Sequence, residues 1–389
     1  MQKLNPYIYL FSLGHFSVDW TQGALPALLP YFISVCHLNY REAGMIMFAN
    51  ILLSSLTQPI FGYYSDKISK PWFVPLAPII SGLALTVCAF TTNFQIIFLC
   101  SMFSGLGSAL YHPEAALMVN KIAGEQKGKA LGAFSVGGNA GFAIGPMLAG
   151  FCAYKFNIHG LALFEIINMV LAFLLYRSIG KLAEQKTKAE AEAKASNWQQ
   201  TVPSNNWPAF AKLTPVIFAR AIGFSLTNTF VPIYWMQVLH STAANGSMAL
   251  SVLFTLGIFM TYLGGVLADR FGYIKVMRIA FLVMVPAMLA FTNSKQLWLS
   301  LWLLLPVAFS LFIPYSSIVV LGQTYLGKSV GLASGITMGL GTTMGGMMSP
   351  LVGWGADQWG IGPALQILWV VALLGLAFAF LVPSVEEKL

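Results

Sequence analysis

The sequence predicts an all-α polytopic membrane protein with twelve transmembrane helices, built as two six-helix halves related by pseudo-two-fold symmetry. Of the 389 residues, 57% are apolar and only 9% are charged, whereas about a quarter of the residues of a soluble domain are charged. Apolar runs of the roughly 20 residues needed to cross a bilayer recur along the whole chain. Short motifs in the first half also recur in the second at a nearly constant offset, which indicates a duplicated unit.

Twelve apolar segments are long enough to be the membrane-spanning helices. Several contain proline, which membrane helices tolerate because neighbouring helices satisfy the freed backbone groups. The first segment is not typical of a cleaved signal peptide, since it is too long and carries His15 and Asp19 in its middle. The predicted helices span residues 7–33, 43–64, 72–91, 94–119, 129–152, 160–178, 209–238, 245–267, 274–292, 296–321, 330–354 and 363–382.

The basic residues predict the orientation of the chain. If both termini are cytoplasmic, most of the 21 lysines and arginines fall on the cytoplasmic side, and only Arg41, Lys155 and Lys295 fall in outer loops. Membrane insertion selects this bias, so the net charge of +8 needs no nucleic-acid partner. We expect an integral protein of the bacterial inner membrane.

A polar segment divides the chain. Residues 181–208 begin with an Ala-, Glu- and Lys-rich stretch and continue with Ser, Asn, Gln and Pro. This composition favours a short cytoplasmic helix followed by a loose connector. We therefore predict an N-terminal six-helix half at 1–180, a cytoplasmic linker at 181–208 and a C-terminal six-helix half at 209–389.

Repeated motifs relate the two halves. Gly62, Asp66 and Lys67 follow the second helix, and Gly265, Asp269 and Arg270 follow the eighth. Gly137, Gly141 and Pro146 find counterparts in Gly341, Gly345 and Pro350. Because each copy has an even number of helices, the copies run parallel, and a substrate site is expected near mid-membrane at their interface.

The glycine–aspartate–basic loop resembles the best marker of the major facilitator superfamily. Further motifs resemble its fosmidomycin resistance branch: His15-Phe-Ser-Val-Asp19, Gln58-Pro59 with Gly62-Tyr63, Tyr111-His112-Pro113-Glu114 and Gly137-Gly138-Asn139. This resemblance implies the major facilitator fold and proton-driven efflux of drugs, and hence antibiotic resistance. It also implies that Gly62, Asp66, Lys67, Gly265, Asp269 and Arg270 serve gating and structure.

The fifth predicted helix contains a second motif that is similar to one in the superfamily. Gly141, Gly145 and Pro146 resemble the antiporter signature of the superfamily, although close helix packing explains the same residues. Many drug–proton antiporters have an arginine in helix 4 where this chain has Ser101. Proton coupling would then use other groups, namely Asp19, His15, His112 and Glu114.

Ionisable residues within apolar helices are the candidate functional residues, because a charge at the bilayer centre costs about 2.5–3.5 kcal/mol. His15 and Asp19 are four residues apart and share one helix face. We predict proton coupling or substrate binding for both, with a fixed structural ion pair as the alternative. Arg220 in the seventh helix is predicted to bind a substrate anion or to balance charge. In the superfamily, helices 1 and 7 line one cavity.

The fourth helix holds two more candidates. His112 shares a small and polar face with Ser101, Gly105 and Ser108, whereas Glu114 lies about 200° away on a regular helix. We therefore expect His112 on the cavity side. Asn139 and Asn228 are further candidates for substrate contact.

Three classes of function remain open. The leading prediction is a proton-coupled antiporter that exports small anionic or amphipathic compounds such as fosmidomycin-like drugs. An uptake symporter for an organic anion would have the same helices and charges. An intramembrane metalloenzyme is disfavoured because no metal-binding or nucleophile motif appears. A non-transporting scaffold is disfavoured because buried charges in both halves are costly without a moving ion. We predict a monomer without cofactor or metal.

Overall fold

The computed structural model describes residues 4–67, 71–122, 127–155, 157–195, 204–329, 332–333 and 335–383. The chain forms two compact units. Unit 1 comprises Met1–Leu38 and Ala49–Gln200, and unit 2 comprises Asn39–Phe48 and Thr201–Leu389. The first turns of the second helix are thus grouped with unit 2, and the rest of that helix with unit 1.

Unit 1 is built from six long helices. The first helix begins after Asn5, whose side chain accepts a hydrogen bond from the backbone N–H of Tyr7 and so caps the helix. A short 3₁₀ turn, Ile158–Leu161, leads into the sixth helix. The helices are α1 Pro6–Val35, α2 Tyr40–Lys67, α3 Phe73–Cys88, α4 Phe94–Ile122, α5 Lys127–Lys155 and α6 Ala162–Ala195.

The sixth helix is longer than expected. It continues without a break from Ala162 to Ala195, whereas the sequence predicted a membrane helix ending near residue 178 and a separate helix beyond it. The Ala-, Glu- and Lys-rich stretch contains no proline, and its residues are strong helix formers. The membrane helix therefore propagates into the polar segment.

Glycines allow α1 and α5 to pack with their backbones in contact. A Cβ atom at Gly141 would lie 2.7 Å from the carbonyl oxygen of Phe16 and 2.7 Å from the amide of Trp20. A Cβ atom at Gly145 would collide with the carbonyl oxygen of Trp20. Close packing accounts for both glycines, and it brings the polar face of α1 against α5.

Unit 2 contains the remaining helices. They are α7 Trp207–Gln237, α8 Ala243–Phe271, α9 Tyr273–Asn293, α10 Leu297–Phe312, α11 Pro314–Tyr325, α12 Gly341–Trp359, α13 Ile361–Ala364 and α14 Ile367–Leu381. A π-helical turn, Gly335–Leu340, precedes α12. Gly345 of α12 packs against the backbone of Ala221 on α7, so this pair repeats the close contact that α5 makes with α1.

Three predicted helices are interrupted. The predicted helix at 296–321 is divided at Ile313, which itself keeps helical dihedral angles, because Pro314 has no N–H to continue the helical hydrogen-bond pattern. The predicted helix at 330–354 has the π-helical turn in its described part and extends to Trp359. The predicted last helix is divided between Ala364 and Ile367. The predictions of unbroken helices were wrong at these positions, although Leu297–Tyr325 and Ile361–Leu381 are each still one apolar segment long enough to cross a membrane.

The start of α2 is capped within unit 2. Asn39 and Glu42 cap each other reciprocally, with side-chain oxygens accepting from backbone N–H groups at 2.8 and 2.9 Å. The carboxylate of Asp357 on α12 accepts from the N–H groups of Tyr40 at 2.7 Å and Arg41 at 3.0 Å. The first amides of the helix are therefore all bonded.

The outer surface of the described helices is apolar. Tyr262, Trp298 and Trp302 are 78%, 73% and 72% exposed. Eight described helical segments are long and apolar enough to cross a membrane. Large exposed apolar side chains of this kind are stable against lipid and costly against water.

Candidate functional site

Three ionisable side chains meet inside unit 1. Asp19 of α1 lies between two histidines, with its Oδ2 atom 3.1 Å from Nε2 of His15 and its Oδ1 atom 3.0 Å from Nε2 of His112 on α4. The two imidazole rings approach edge to face with centroids 4.9 Å apart. We call His15, Asp19 and His112 the histidine–aspartate cluster.

The carboxylate of the cluster is shielded from solvent, whereas the side chains of His15 and His112 are 12% and 27% exposed. Asp19 is 4% exposed, and both of its oxygens are occupied by histidine nitrogens. A carboxylate buried in this way is costly unless it is paired and hydrogen-bonded. The two histidines therefore pair with the carboxylate oxygens of Asp19. Asp19 lies in the middle of α1, away from the backbone N–H groups at the start of that helix.

The backbone of α5 fixes the proton position on His15. Nδ1 of His15 lies 2.9 Å from the carbonyl oxygen of Phe134, and the two rings stack at 4.2 Å. A carbonyl oxygen can only accept, so Nδ1 must carry a proton and donate it. In neutral His15, the Nε2 atom that faces Asp19 therefore carries a lone pair and no proton.

This arrangement requires a further proton. A lone pair on Nε2 opposite an ionised carboxylate would be repulsive, and a separation of 3.1 Å matches a hydrogen bond. Either His15 is an imidazolium that donates to Asp19, or Asp19 is protonated and donates to His15. In both cases one proton is shared by the pair.

His112 completes the hydrogen bonds of the cluster as a neutral imidazole. Its Nδ1 atom lies 3.1 Å from the hydroxyl oxygen of Ser108, which can donate to it, while Nε2–H donates to Asp19. The cluster with one shared proton is then electrically neutral. Loss of that proton would leave a buried negative charge and an unfavourable contact, so proton release must be accompanied by rearrangement.

Small and aromatic neighbours hold the cluster in place. A Cβ atom at Gly138 on α5 would lie 2.6 Å from Oδ2 of Asp19 and 2.6 Å from Cε1 of His15. The hydroxyl of Tyr111 donates to the carbonyl oxygen of Phe11 at 2.6 Å, which fixes α4 against α1. Alanine at 138 would therefore displace a side chain of the cluster.

The other predicted site residues of unit 1 lie elsewhere. Glu114 is completely buried on α4 and is not part of the histidine–aspartate cluster. Asn139 is exposed on α5. The backbones of Gly62, Asp66 and Lys67 lie in α2, but their side chains are outside the described part of the structure.

In unit 2, Arg220 has no acidic partner among the described residues. Its Nε–H donates to the carbonyl oxygen of Leu311 at 2.8 Å. The guanidinium lies over the rings of Tyr315 and Phe224, at 4.7 and 5.7 Å from their centroids. The Leu311 carbonyl and the two rings thus hold the Arg220 guanidinium in place, and its terminal N–H groups have no hydrogen-bond partner among the described residues.

Residues of the repeated loop make local contacts in unit 2. Asp269 accepts a hydrogen bond from the hydroxyl of Tyr273 at 2.8 Å, and the Arg270 guanidinium lies 5.3 Å from the ring centroid of Phe271. A Cβ atom at Gly265 would meet only the Ser316 hydroxyl, at 3.9 Å.

The sequence did not reveal two contributors to the cluster. Phe134 acts through its backbone oxygen, which no side-chain pattern can signal, and its aromatic ring looks like any core residue. Gly138 was visible only as part of a glycine-rich motif. The three side chains of the cluster also offer ligand types that suit a transition metal.

The family follows from a match over most of the chain. A model of the Major Facilitator Superfamily matches residues 11–294. The chain belongs to the major facilitator superfamily. It is accordingly an integral membrane transporter of the major facilitator fold rather than an enzyme, as the sequence predicted.

Related transporters match almost the whole chain. An uncharacterised MFS-type transporter, YfnC of Bacillus subtilis, is 29% identical over 99% of this chain and 94% of that protein. The fosmidomycin resistance protein of Escherichia coli is 27% identical over 95% of this chain and 91% of that protein. The quinolone resistance protein NorA of Staphylococcus aureus is 22% identical over 90% and 89%. The predicted resemblance to the fosmidomycin resistance branch is confirmed.

Solved transporters have the same fold. A bacterial homologue of the human lysosomal transporter Spinster superposes with a TM-score of 0.77 at 15% identity, covering 98% of this chain and 97% of that chain. The nucleoside transporter NupG gives 0.71 at 14% identity, covering 97% and 98%. At these low sequence identities, the comparison shows that the fold is shared and nothing more.

Proposed function

We propose that this protein is a proton-coupled antiporter that exports small anionic or amphipathic compounds, fosmidomycin-like drugs among them. The observation that carries the proposal is the geometry of the histidine–aspartate cluster, whose hydrogen bonds require one proton shared by His15 and Asp19. An exchanger needs a buried group that binds a proton in one state and releases it in another. The cluster supplies such a group in the apolar interior of unit 1.

The surroundings of Asp19 leave few candidates for the proton. Among the described residues, the ion-pair partners of Asp19 are His15 on α1 and His112 on α4. The segment of α5 at the cluster contributes the Phe134 carbonyl and Gly138, neither of which titrates. Helices α3 and α6 place no described basic side chain within ion-pair distance of Asp19. The proton is therefore assigned to the cluster as a whole.

The relatives support the direction of transport. Two of them are named as resistance proteins for fosmidomycin and for quinolones, and export of the drug is one direct route to resistance. We assign the chain to the bacterial inner membrane as a monomer, with both termini and residues 181–208 cytoplasmic. The positive charges on that side support this orientation. Within it, residues 1–180 and 209–389 are the two six-helix halves.

Vesicles that contain the purified protein test the proposal. Pyranine is trapped inside, no pH gradient is imposed, and fosmidomycin is added outside with valinomycin and potassium present. Antiport moves protons out as the drug enters, so the lumen should become alkaline whichever way the protein is inserted.

Acidification of the lumen would contradict antiport and indicate symport. Absence of a pH change together with drug entry would contradict proton coupling. Vesicles without protein control for leakage. Repetition with a chelator controls for a metal in the cluster, and the expected signal is unchanged.

A further inference from the structure

We propose that α7 forms the binding site for an elongated anion that has a planar apolar body and a hydrogen-bond donor at its far end. Arg220, Phe224 and Asn228 would contact these three parts in that order. The inference rests on the proposed function, since it specifies the amphipathic compounds among those that the transporter carries. All three residues belong to unit 2.

Arg220 defines the anionic end. One of its five N–H donors is used by the Leu311 carbonyl, and this bond fixes the plane of the guanidinium. The terminal amino groups make no hydrogen bond or ion pair with any residue in the described part of the chain. A half-buried cation without a counter-charge is costly. A carboxylate or phosphonate held by two parallel bonds would compensate for it.

Aromatic rings define the middle. Phe224 lies one turn after Arg220, and its ring packs edge to face against Phe312 and Phe254 at centroid distances of 5.7 and 6.0 Å. Together with Tyr315 beside the guanidinium, these rings form a rigid apolar wall. Offset or edge-to-face packing with a planar ligand is favourable by about 0.5–1.5 kcal/mol beyond simple burial.

Asn228 defines the end of the ligand opposite the anionic group, and the evidence for it is independent of Arg220. It is only 7% exposed, and its buried Oδ1 atom has no hydrogen-bond partner among the described residues. Leaving such an acceptor unsatisfied costs about 1–3 kcal/mol. A hydroxyl or N–H group of a ligand would satisfy it.

The spacing along α7 sets the length of the ligand. Arg220, Phe224 and Asn228 follow one another at four-residue intervals, so they lie along one side of the helix. Eight residues correspond to about 12 Å of helix rise. A compound of two linked rings with its polar groups at opposite ends spans this distance.

The test uses a rigid probe with this pattern. Biphenyl carrying a para carboxylate on one ring and a para hydroxyl on the other is titrated calorimetrically into the purified protein at fixed pH. Two analogues accompany it: the neutral carboxamide, and the carboxylate without the hydroxyl. The variants are Arg220→Gln, Asn228→Leu and, as a control, Lys212→Gln, which removes an exposed charge from the same helix.

The pattern of losses decides the proposal. Arg220→Gln should weaken the carboxylate probe about ten- to a hundredfold and the carboxamide less than about threefold. Asn228→Leu should abolish the preference for the hydroxylated probe and leave the other carboxylate unchanged. Lys212→Gln should behave as wild type. Equal losses for all probes, or no binding of the probe to wild type, would overturn the proposal.

This result can be separated from the proposed function. The titration involves no proton gradient, whereas the vesicle assay measures proton exchange with fosmidomycin. Proton exchange without the probe pattern overturns only this inference. The probe pattern without proton exchange overturns the antiport assignment and supports the site on α7.

Discussion

Asp19→Asn is expected to abolish proton-coupled transport while the protein remains folded. The amide would accept from His112 and donate to the Nε2 lone pair of His15, whose Nδ1 proton is held by the Phe134 carbonyl. A permanent N–H would thus replace the shared proton. The cluster would resemble its proton-loaded state but could not release a proton. Pyranine signals should fall to the level of vesicles without protein.

The matched control for this substitution is Glu42→Gln. Glu42 is also a carboxylate, but it caps the start of α2 through one side-chain oxygen, and glutamine can accept the same bond. Its proton signal should match that of wild type. If Asp19→Asn exchanges protons for drug at the wild-type rate, Asp19 is a structural partner of the histidines and another group carries the proton.

Gly138→Ala is expected to impair proton coupling strongly as well. The new methyl group would lie within 2.6 Å of both Asp19 Oδ2 and His15 Cε1, so at least one ring or carboxylate must move. Overpacking of this kind costs about 1–3 kcal/mol. We expect a lower apparent melting temperature in detergent and at least a tenfold loss of drug-driven proton flux.

Gly180→Ala provides the comparison for Gly138→Ala. Gly180 is exposed on α6, and a Cβ atom there would meet nothing within 4 Å. Its melting temperature and its proton flux should remain at wild-type values. Normal pH-dependent flux in a folded Gly138→Ala protein would mean that the geometry of the cluster is not needed for coupling.

Much of the fold follows from the sequence because lipid imposes simple requirements. Long apolar runs, scarce charge and the repeated Gly–Asp–basic motif predicted the transporter class and the superfamily, and the comparisons confirm both. The break at Ile313 was missed, although Pro314 was visible, because proline is tolerated in many membrane helices. The π-helical turn at Gly335–Leu340 has no comparable signal in the sequence.

The cluster was only partly predictable. The four-residue spacing of His15 and Asp19 indicates a shared face, and the small polar face of α4 favoured His112 over Glu114. The role of the Phe134 carbonyl could not be predicted, since a backbone oxygen contributes only where the packing of two helices places it. The same holds for the unsatisfied Oδ1 of Asn228. The functional roles of these residues and the two-half domain division stay predictions.

The most direct test of the central claim is fosmidomycin affinity measured across pH in wild type and Asp19→Asn. In an antiporter the bound proton opposes the substrate, and this coupling is reciprocal. Wild type should therefore bind fosmidomycin more tightly as the pH rises and the cluster loses its proton. Asp19→Asn should bind weakly, with only the pH dependence that arises from the drug itself. Tighter binding at low pH in wild type, lost in the variant, would contradict the exporter assignment and indicate symport.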